Sequence, residues 1–179
     1  MYITAVVAIS LNGFITDGDN PDVTTWTSAE DKAFFRAQKD ASDVIIMGKN
    51  TFTAMQRVIK LEPNRLRLIL TKNPEEFADQ VVDDQLEFSN STPDDLVEDL
   101  KKRGFKNVMI AGGSYVYSSF LSAGLINEFK VTVEPIFFAS GTPLLSSLDK
   151  NYNLELKSSE MLNDRGTMLL SYSVSPIID

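Results

Sequence analysis

The sequence predicts an α/β protein: a mixed, mainly parallel sheet of about eight strands with about four helices and an antiparallel hairpin at the C-terminal end. Three observations lead there. Short apolar runs at 44–47 (VIIM), 66–71 (LRLILT) and 107–111 (NVMIA) read as strands buried on both faces, the pattern of a parallel sheet. Helix signals fall between such runs, so strand and helix alternate early. After residue 128 only strand signals follow, which places antiparallel strands last.

The elements follow in order. Residues 2–9 (YITAVVAI) read as a buried strand rather than a signal peptide, because no basic segment precedes them and no small-residue cleavage site follows. Asn12-Gly13 and Asp17-Gly18 mark a turn region reaching Pro21. Thr27 and Ser28 ahead of Glu30 and Asp31 form a helix start that Phe34, Phe35 and Gln38 continue. Gly48 ends the strand at 44–47, and a second helix runs to about Gln56. After the strand at 66–71 comes LEFS at 86–89. Thr92-Pro93-Asp94-Asp95 opens the clearest helix, with an N-cap, a proline at the first position and two acids at the positive end of the dipole. Lys101, Lys102 and Arg103 occupy its last turn and Gly104 stops it. Gly112-Gly113-Ser114 leads from the strand at 107–111 into a helix to about Ser122. EFKVTVEPIFF at 128–138 reads as one long strand, and segments near 151–159 and 166–174 as the hairpin. No internal repeat or linker interrupts the chain, which reads as one domain over 1–179.

Composition narrows the function. There is no cysteine and no histidine, which excludes His/Cys metal sites, Ser-His-Asp triads and cysteine nucleophiles. No EF-hand pattern appears, so no metal site is expected. Hydride transfer from a bound cofactor suits such a chain, since the cofactor carries the hard step. The net charge of −8 argues against nucleic acid as a partner. No apolar run spans a bilayer, and without cysteines the chain reads as soluble and cytoplasmic. The charge is uneven. Residues 49–72 hold Lys49, Arg57, Lys60, Arg65, Arg67 and Lys72 against the single acid Glu62, a local +5 that leaves −13 elsewhere. A basic island in an acidic chain fits either a small anionic ligand or a solvated charged face.

Two segments share one layout of buried strand, glycine and helix start: VIIM-Gly48-Lys49-Asn50-Thr51 and VMIA-Gly112-Gly113-Ser114. Glycine lets a phosphate approach backbone N–H groups, and in a parallel sheet both turns lie at the carboxyl edge where ligands bind. Together they suit a pyrophosphate-bearing dinucleotide, with Lys49 adding charge and Thr51 a hydroxyl. Neither is a G-x-G-x-x-G fingerprint, so this is not a standard Rossmann site. Asp31 shares a helix face with Phe34 and Phe35, and Trp26 lies five residues upstream. A carboxylate among aromatics is partly desolvated and suited to hold a proton. The same position also suits a plain capping acid.

These parts together resemble the dihydrofolate reductase-like superfamily, and particularly the reductase domain of the riboflavin-pathway deaminase–reductase. The resemblance runs from about Ala5 to Leu145 through Ala8-Ile9-Ser10-Leu11-Asn12-Gly13, Trp26-Thr27-Ser28 with Asp31, Ser42 to Phe52, Arg67 to Thr71, Ala111-Gly112-Gly113-Ser114, Gly124 to Glu128 and Ser140 to Leu145. It implies a three-layer αβα fold and NADPH as cofactor. The cofactor residues it implies are Ala8, Ile15, Gly48, Lys49, Thr51, Leu70, Thr71, Lys72, Gly112, Gly113, Ser114, Tyr115, Val116 and Tyr117. Asp31 matches a substrate-protonating acid and Thr132 its hydroxyl partner; Trp26, Phe35, Arg65 and Arg67 fall at substrate-contacting positions. Arg65 matches the folate-tail arginine, while Arg67 fits the riboflavin-type pattern. The implied substrate is a small molecule, a pyrimidine-linked ribose ahead of a pterin, and the resemblance implies a homodimer. A nucleotide-binding module without turnover is the reading from another class. Departures from the riboflavin-type pattern are Asn12 for its aspartate, Ala111 for its glutamate and Ala139 for a glycine. The zinc-binding deaminase domain is absent from this sequence.

Overall fold

In the computed structural model, residues 1–176 are described, so the last three residues of the expected domain lie outside the described residues. Eight strands form one sheet: β1 (Tyr2–Ser10), β2 (Val44–Gly48), β3 (Leu66–Leu70), β4 (Leu86–Ser89), β5 (Asn107–Ile110), β6 (Glu128–Glu134), β7 (Tyr152–Met161) and β8 (Met168–Pro176). Their order across the sheet is β4-β3-β2-β5-β1-β6-β8-β7. The pairs from β4 to β6 are parallel, and β6–β8 and β7–β8 are antiparallel. The α-helices are α1 (Ala29–Asp40), α2 (Lys49–Met55), α3 (Pro93–Lys102) and α4 (Ser114–Ser122). The mixed, mainly parallel sheet, the four helices and the terminal hairpin are as the sequence predicts.

The helices cover both faces, which gives the three layers. On one face Leu96, Val97 and Leu100 of α3 and Val116, Tyr117 and Phe120 of α4 pack on Ala5, Val7, Ile46, Leu68 and Ile110. On the other, Phe52 of α2 and Phe34 of α1 meet Val6, Ile45, Met47, Ile69 and Met109. α1 is the exception among the helices, because its one buried residue is the acid Asp31. It meets the sheet through Phe34 rather than through a buried apolar stripe. The space it leaves is the start of the cleft described below.

Local chemistry explains the boundaries. Ser28 caps α1 by accepting the Asp31 N–H at 3.1 Å. Thr92 caps α3 from the Asp95 N–H, and Pro93 follows it. Three expectations need adjustment. The strand expected over 128–138 ends at Glu134, because Pro135 has no N–H to donate to the ladder. Residues 136–144 instead cross to the loop after β1: Leu11 N–H donates to Ile136 O at 2.8 Å and Ile15 N–H to Thr142 O at 2.8 Å. Short 3-10 segments at Val23–Thr25 and Pro74–Gln80 occupy stretches to which the sequence assigned no helix. The hairpin strands sit one to two residues later than expected.

Candidate functional site

A cleft of about 1740 Å³ runs along the carboxyl edge of the parallel strands and under α1. It is well above the roughly 300–1,000 Å³ of a pocket for one drug-sized molecule. Its first wall is made by the two glycine turns. Gly48 N–H donates to Gly112 O at 2.8 Å, so the turn after β2 and the turn after β5 are fastened together. A Cβ on Gly48 would stand 3.3 Å from Val116 Cγ2, and one on Gly113 would stand 3.2 Å from Thr51 Oγ1. Gly112, with φ of +104°, lies over the Tyr117 ring, and its peptide to Gly113 is cis. Tyr117 is buried and its hydroxyl donates to Val6 O at 2.7 Å, which anchors α4 beneath this turn. Ser114 opens α4; its hydroxyl is buried and has no hydrogen-bond partner.

The same wall takes in Ala8, Ile15, Lys49, Leu70, Thr71, Lys72 and the exposed Tyr115. Among the described residues neither Lys49 nor Lys72 forms an ion pair. A crowded glycine cradle, an orphaned hydroxyl at a helix start and two unpaired lysines fit a phosphate-bearing dinucleotide.

Asp31 forms the second wall with Phe35, Arg67 and the basic face of α1. Asp31 is 7% exposed, and burial pushes its carboxyl above the usual aspartate range. The nearby Glu134 charge adds to that shift, while the Thr132 and Thr27 hydroxyls and Lys32 oppose it. Thr132 comes from β6, opposite Ala8 on β1, and is 1% exposed. Its hydroxyl is buried beside Asp31 without a well-aligned hydrogen bond.

Arg67 is 4% exposed on β3, and one guanidinium nitrogen has no partner. Burial, then the nearby Arg65 charge, lowers its pKa. A buried cation with an open donor is held at a cost that an anionic ligand offsets.

Three sequence candidates, Arg65, Trp26 and Thr132, lie apart from the cleft lining. Arg65 turns away to pair with Glu62 and Asp40, and its Nε donates to Ser42 O at 3.1 Å. Trp26 packs edge-on against Phe138, with ring centroids 5.2 Å apart. Thr132 also lies outside the lining, directly behind Asp31. The structure adds one residue absent from the sequence candidates, Glu134 at the end of β6. It is buried and accepts the Ser28 N–H at 2.7 Å. A signal for it existed: Glu128, Lys130, Thr132 and Glu134 alternate along β6 as a polar face, which is unusual beneath a helix.

The three layers, the sheet order and the cleft at the strand ends define a protein of the dihydrofolate reductase-like fold. The chain belongs to the family described as the RibD C-terminal domain, whose model matches residues 1–167. The Bacillus subtilis protein YyaP, described as uncharacterized, is 26% identical over 158 residues, covering 84% of this chain and 83% of that one. A pyrimidine reductase-like protein from Corynebacterium diphtheriae superposes with a TM-score of 0.77 at 17% identity, over 99% of this chain and 92% of that one. Dihydrofolate reductase from Enterococcus faecalis, complexed with NADP(H) and RAB-propyl, superposes with a TM-score of 0.68 at 19% identity, over 97% and 96%. Among the described residues no helix is long and apolar enough to cross a membrane, and no cluster of metal-ligating side chains occurs.

Proposed function

We propose that this protein is an NADPH-dependent reductase of a small, anionic pyrimidine-linked ribose, the reaction type of the riboflavin-pathway 5-amino-6-(5-phosphoribosylamino)uracil reductase. The observation that carries the reading is one cleft joining the glycine cradle to a buried acid and a buried, open-handed arginine. Membership of the RibD C-terminal domain family supports the same reaction class.

Gly48, Gly113, Thr51 and Ser114 would hold the cofactor pyrophosphate, and Lys49 and Lys72 its extra phosphate. Reduced nicotinamide, when bound, supplies a hydride to an electrophilic carbon. Asp31 carries the matching proton to the heteroatom beside that carbon, which completes the two-electron reduction. Thr132 holds the carboxyl in place. Arg67 orients the substrate through its anionic group, and Phe35 covers the heterocycle. The pterin alternative draws less support, because Arg65 is occupied by Glu62 and Asp40 and is not free for a folate tail.

The test is NADPH consumption by the purified chain with 5-amino-6-(5-phosphoribosylamino)uracil and, separately, with dihydrofolate. Turnover is expected with the first only. Tight NADPH binding without oxidation in either assay would leave a nucleotide-binding module instead.

A further inference from the structure

The Asp31 carboxyl has a second buried carboxyl for a neighbour. Glu134 is 3% exposed and stands two residues after Thr132 on β6, so both side chains leave the strand on the face that α1 overlies. Its two oxygens have different partners. Oε1 accepts the Ser28 N–H at 2.7 Å, and Oε2 accepts the Thr167 hydroxyl at 2.8 Å. Ser28 is the N-cap of α1, and its own hydroxyl accepts the Asp31 N–H at 3.1 Å. The turn between β7 and β8 closes the group: Asn163 Nδ2 donates to Glu30 Oε2 at 2.9 Å and to Thr167 Oγ1 at 3.0 Å.

A buried carboxylate is costly unless it is hydrogen-bonded or paired. Glu134 has two donors and the positive end of α1, yet among the described residues no cation pairs with it. A neutral glutamine would accept the same N–H and serve as a strut. What the charge adds is a like charge beside Asp31.

We propose that Glu134 is a positioning residue for Asp31: by accepting the Ser28 N–H and the Thr167 hydroxyl it fixes the first turn of α1 against Thr132 and sets a second buried carboxyl beside that of Asp31. The inference rests on the reading of Asp31 as the proton-handling acid. Other groups also face Asp31. Thr132 reaches it from β6 beside Glu134, Thr27 from the loop before α1, and Lys32 from α1 itself. Tyr117 of α4 lies within its field, and Arg67 of β3 shares its cleft. Lys32 is exposed, and its charge opposes the upward shift of the Asp31 carboxyl.

The experiment is an NMR titration of the side-chain carboxyl carbons of the full chain, which needs no substrate. In the wild type, the Asp31 signal should titrate above the ordinary aspartate range. In Glu134→Gln, the Asp31 midpoint should fall. Glu134→Asp, which keeps the carboxyl, should leave the Asp31 midpoint above that of Glu134→Gln. An Asp31 midpoint within the ordinary aspartate range in the wild type would overturn the proposal, as would an unmoved midpoint in Glu134→Gln. If Glu134→Gln fails to fold, the wild-type and Glu134→Asp titrations decide alone. Where NADPH oxidation is measurable, its acid limb should move with the Asp31 midpoint. An Asp31 midpoint that falls in Glu134→Gln, in a protein that oxidises no NADPH, would sustain this assignment and remove the reductase reading.

Discussion

Asp31 occupies the third position of α1, where a capping acid should stabilise the helix, yet it is buried with its carboxyl pushed upward. The two roles predict opposite stabilities. A carboxyl whose folded-state pKa is raised contributes its full stability below the unfolded value of 3.8 and loses it as pH rises through the folded value. At neutral pH the ionised side chain is therefore a burden that Asp31→Asn removes. The variant should melt at or above the wild-type temperature near neutrality, with the gain shrinking as pH falls toward 3.8. Its reduction rate should fall by at least ~10²-fold, less so in acid where solvent supplies protons. A capping role alone would instead lower stability by about 0.5–2 kcal/mol and spare turnover. Arg65 and Arg67 make a second contrast. Arg67→Met removes a buried, unpartnered charge, so stability should hold or rise, while substrate KM rises roughly 10-fold to 100-fold for the loss of a charged hydrogen bond. Arg65→Met breaks the links to Glu62 and Asp40, so it should lower the melting temperature and leave KM alone. Thermal melts and steady-state kinetics on both variants check this. The family resemblance alone placed both arginines at the substrate, Arg65 at the folate-tail position and Arg67 in the riboflavin-type pattern. Pairing of Arg65 with Asp40 depends on how α1 ends beside β3, and local pattern does not contain that.

At the scale of elements, the strand-glycine-helix repeats were legible because each is a local event: an apolar run ends, a glycine turns, a helix begins. Their fastening through Gly48 N–H and Gly112 O was not legible, since it depends on β2 and β5 being neighbours in the sheet. The fastening makes a prediction. Gly113 has an extended backbone, so any residue can adopt its conformation, and the obstacle to a side chain is space beside Thr51. Gly113→Val should abolish measurable NADPH binding in calorimetry, with some loss of stability. Normal NADPH affinity in a folded variant would remove the cofactor from this turn. The end of β6 was misjudged for a related reason. Apolar residues run on past Pro135, but the chain there is spent on bonds to the loop after β1, and Phe138 is buried against Trp26 rather than in the ladder. The same long-range packing hid Glu134, whose partners come from residues 28 and 167.

Over the whole molecule, charge and topology converge on one edge. The chain carries −8, yet the stretch 49–72 carries +5, and the fold brings its Lys49, Lys60 and Lys72 to the cleft while Arg65 is neutralised elsewhere. A uniformly acidic surface would repel a phosphorylated dinucleotide; a local basic rim would draw the proposed cofactor to the cleft whose glycine turns would admit it. The rim should therefore discriminate by phosphate count. Two charge-assisted contacts from Lys49 and Lys72 to the additional phosphate of NADPH are worth about 2–4 kcal/mol, so NADPH should bind roughly 30-fold to 1,000-fold more tightly than NADH. Lys72 is exposed, so its share should fade as salt shortens the Debye length from about 10 Å at 0.1 M to about 3 Å at 1 M. Lys49 is half-buried and should keep more of its effect. Calorimetric titration of both cofactors at low and high salt, with the wild type, Lys49→Gln and Lys72→Gln, resolves these contributions. Each variant should lose NADPH affinity and leave NADH affinity nearly unchanged. Equal dissociation constants for the two cofactors in the wild type at low salt would mean that the basic island serves as a solvated face, and that the extra phosphate has no site on it.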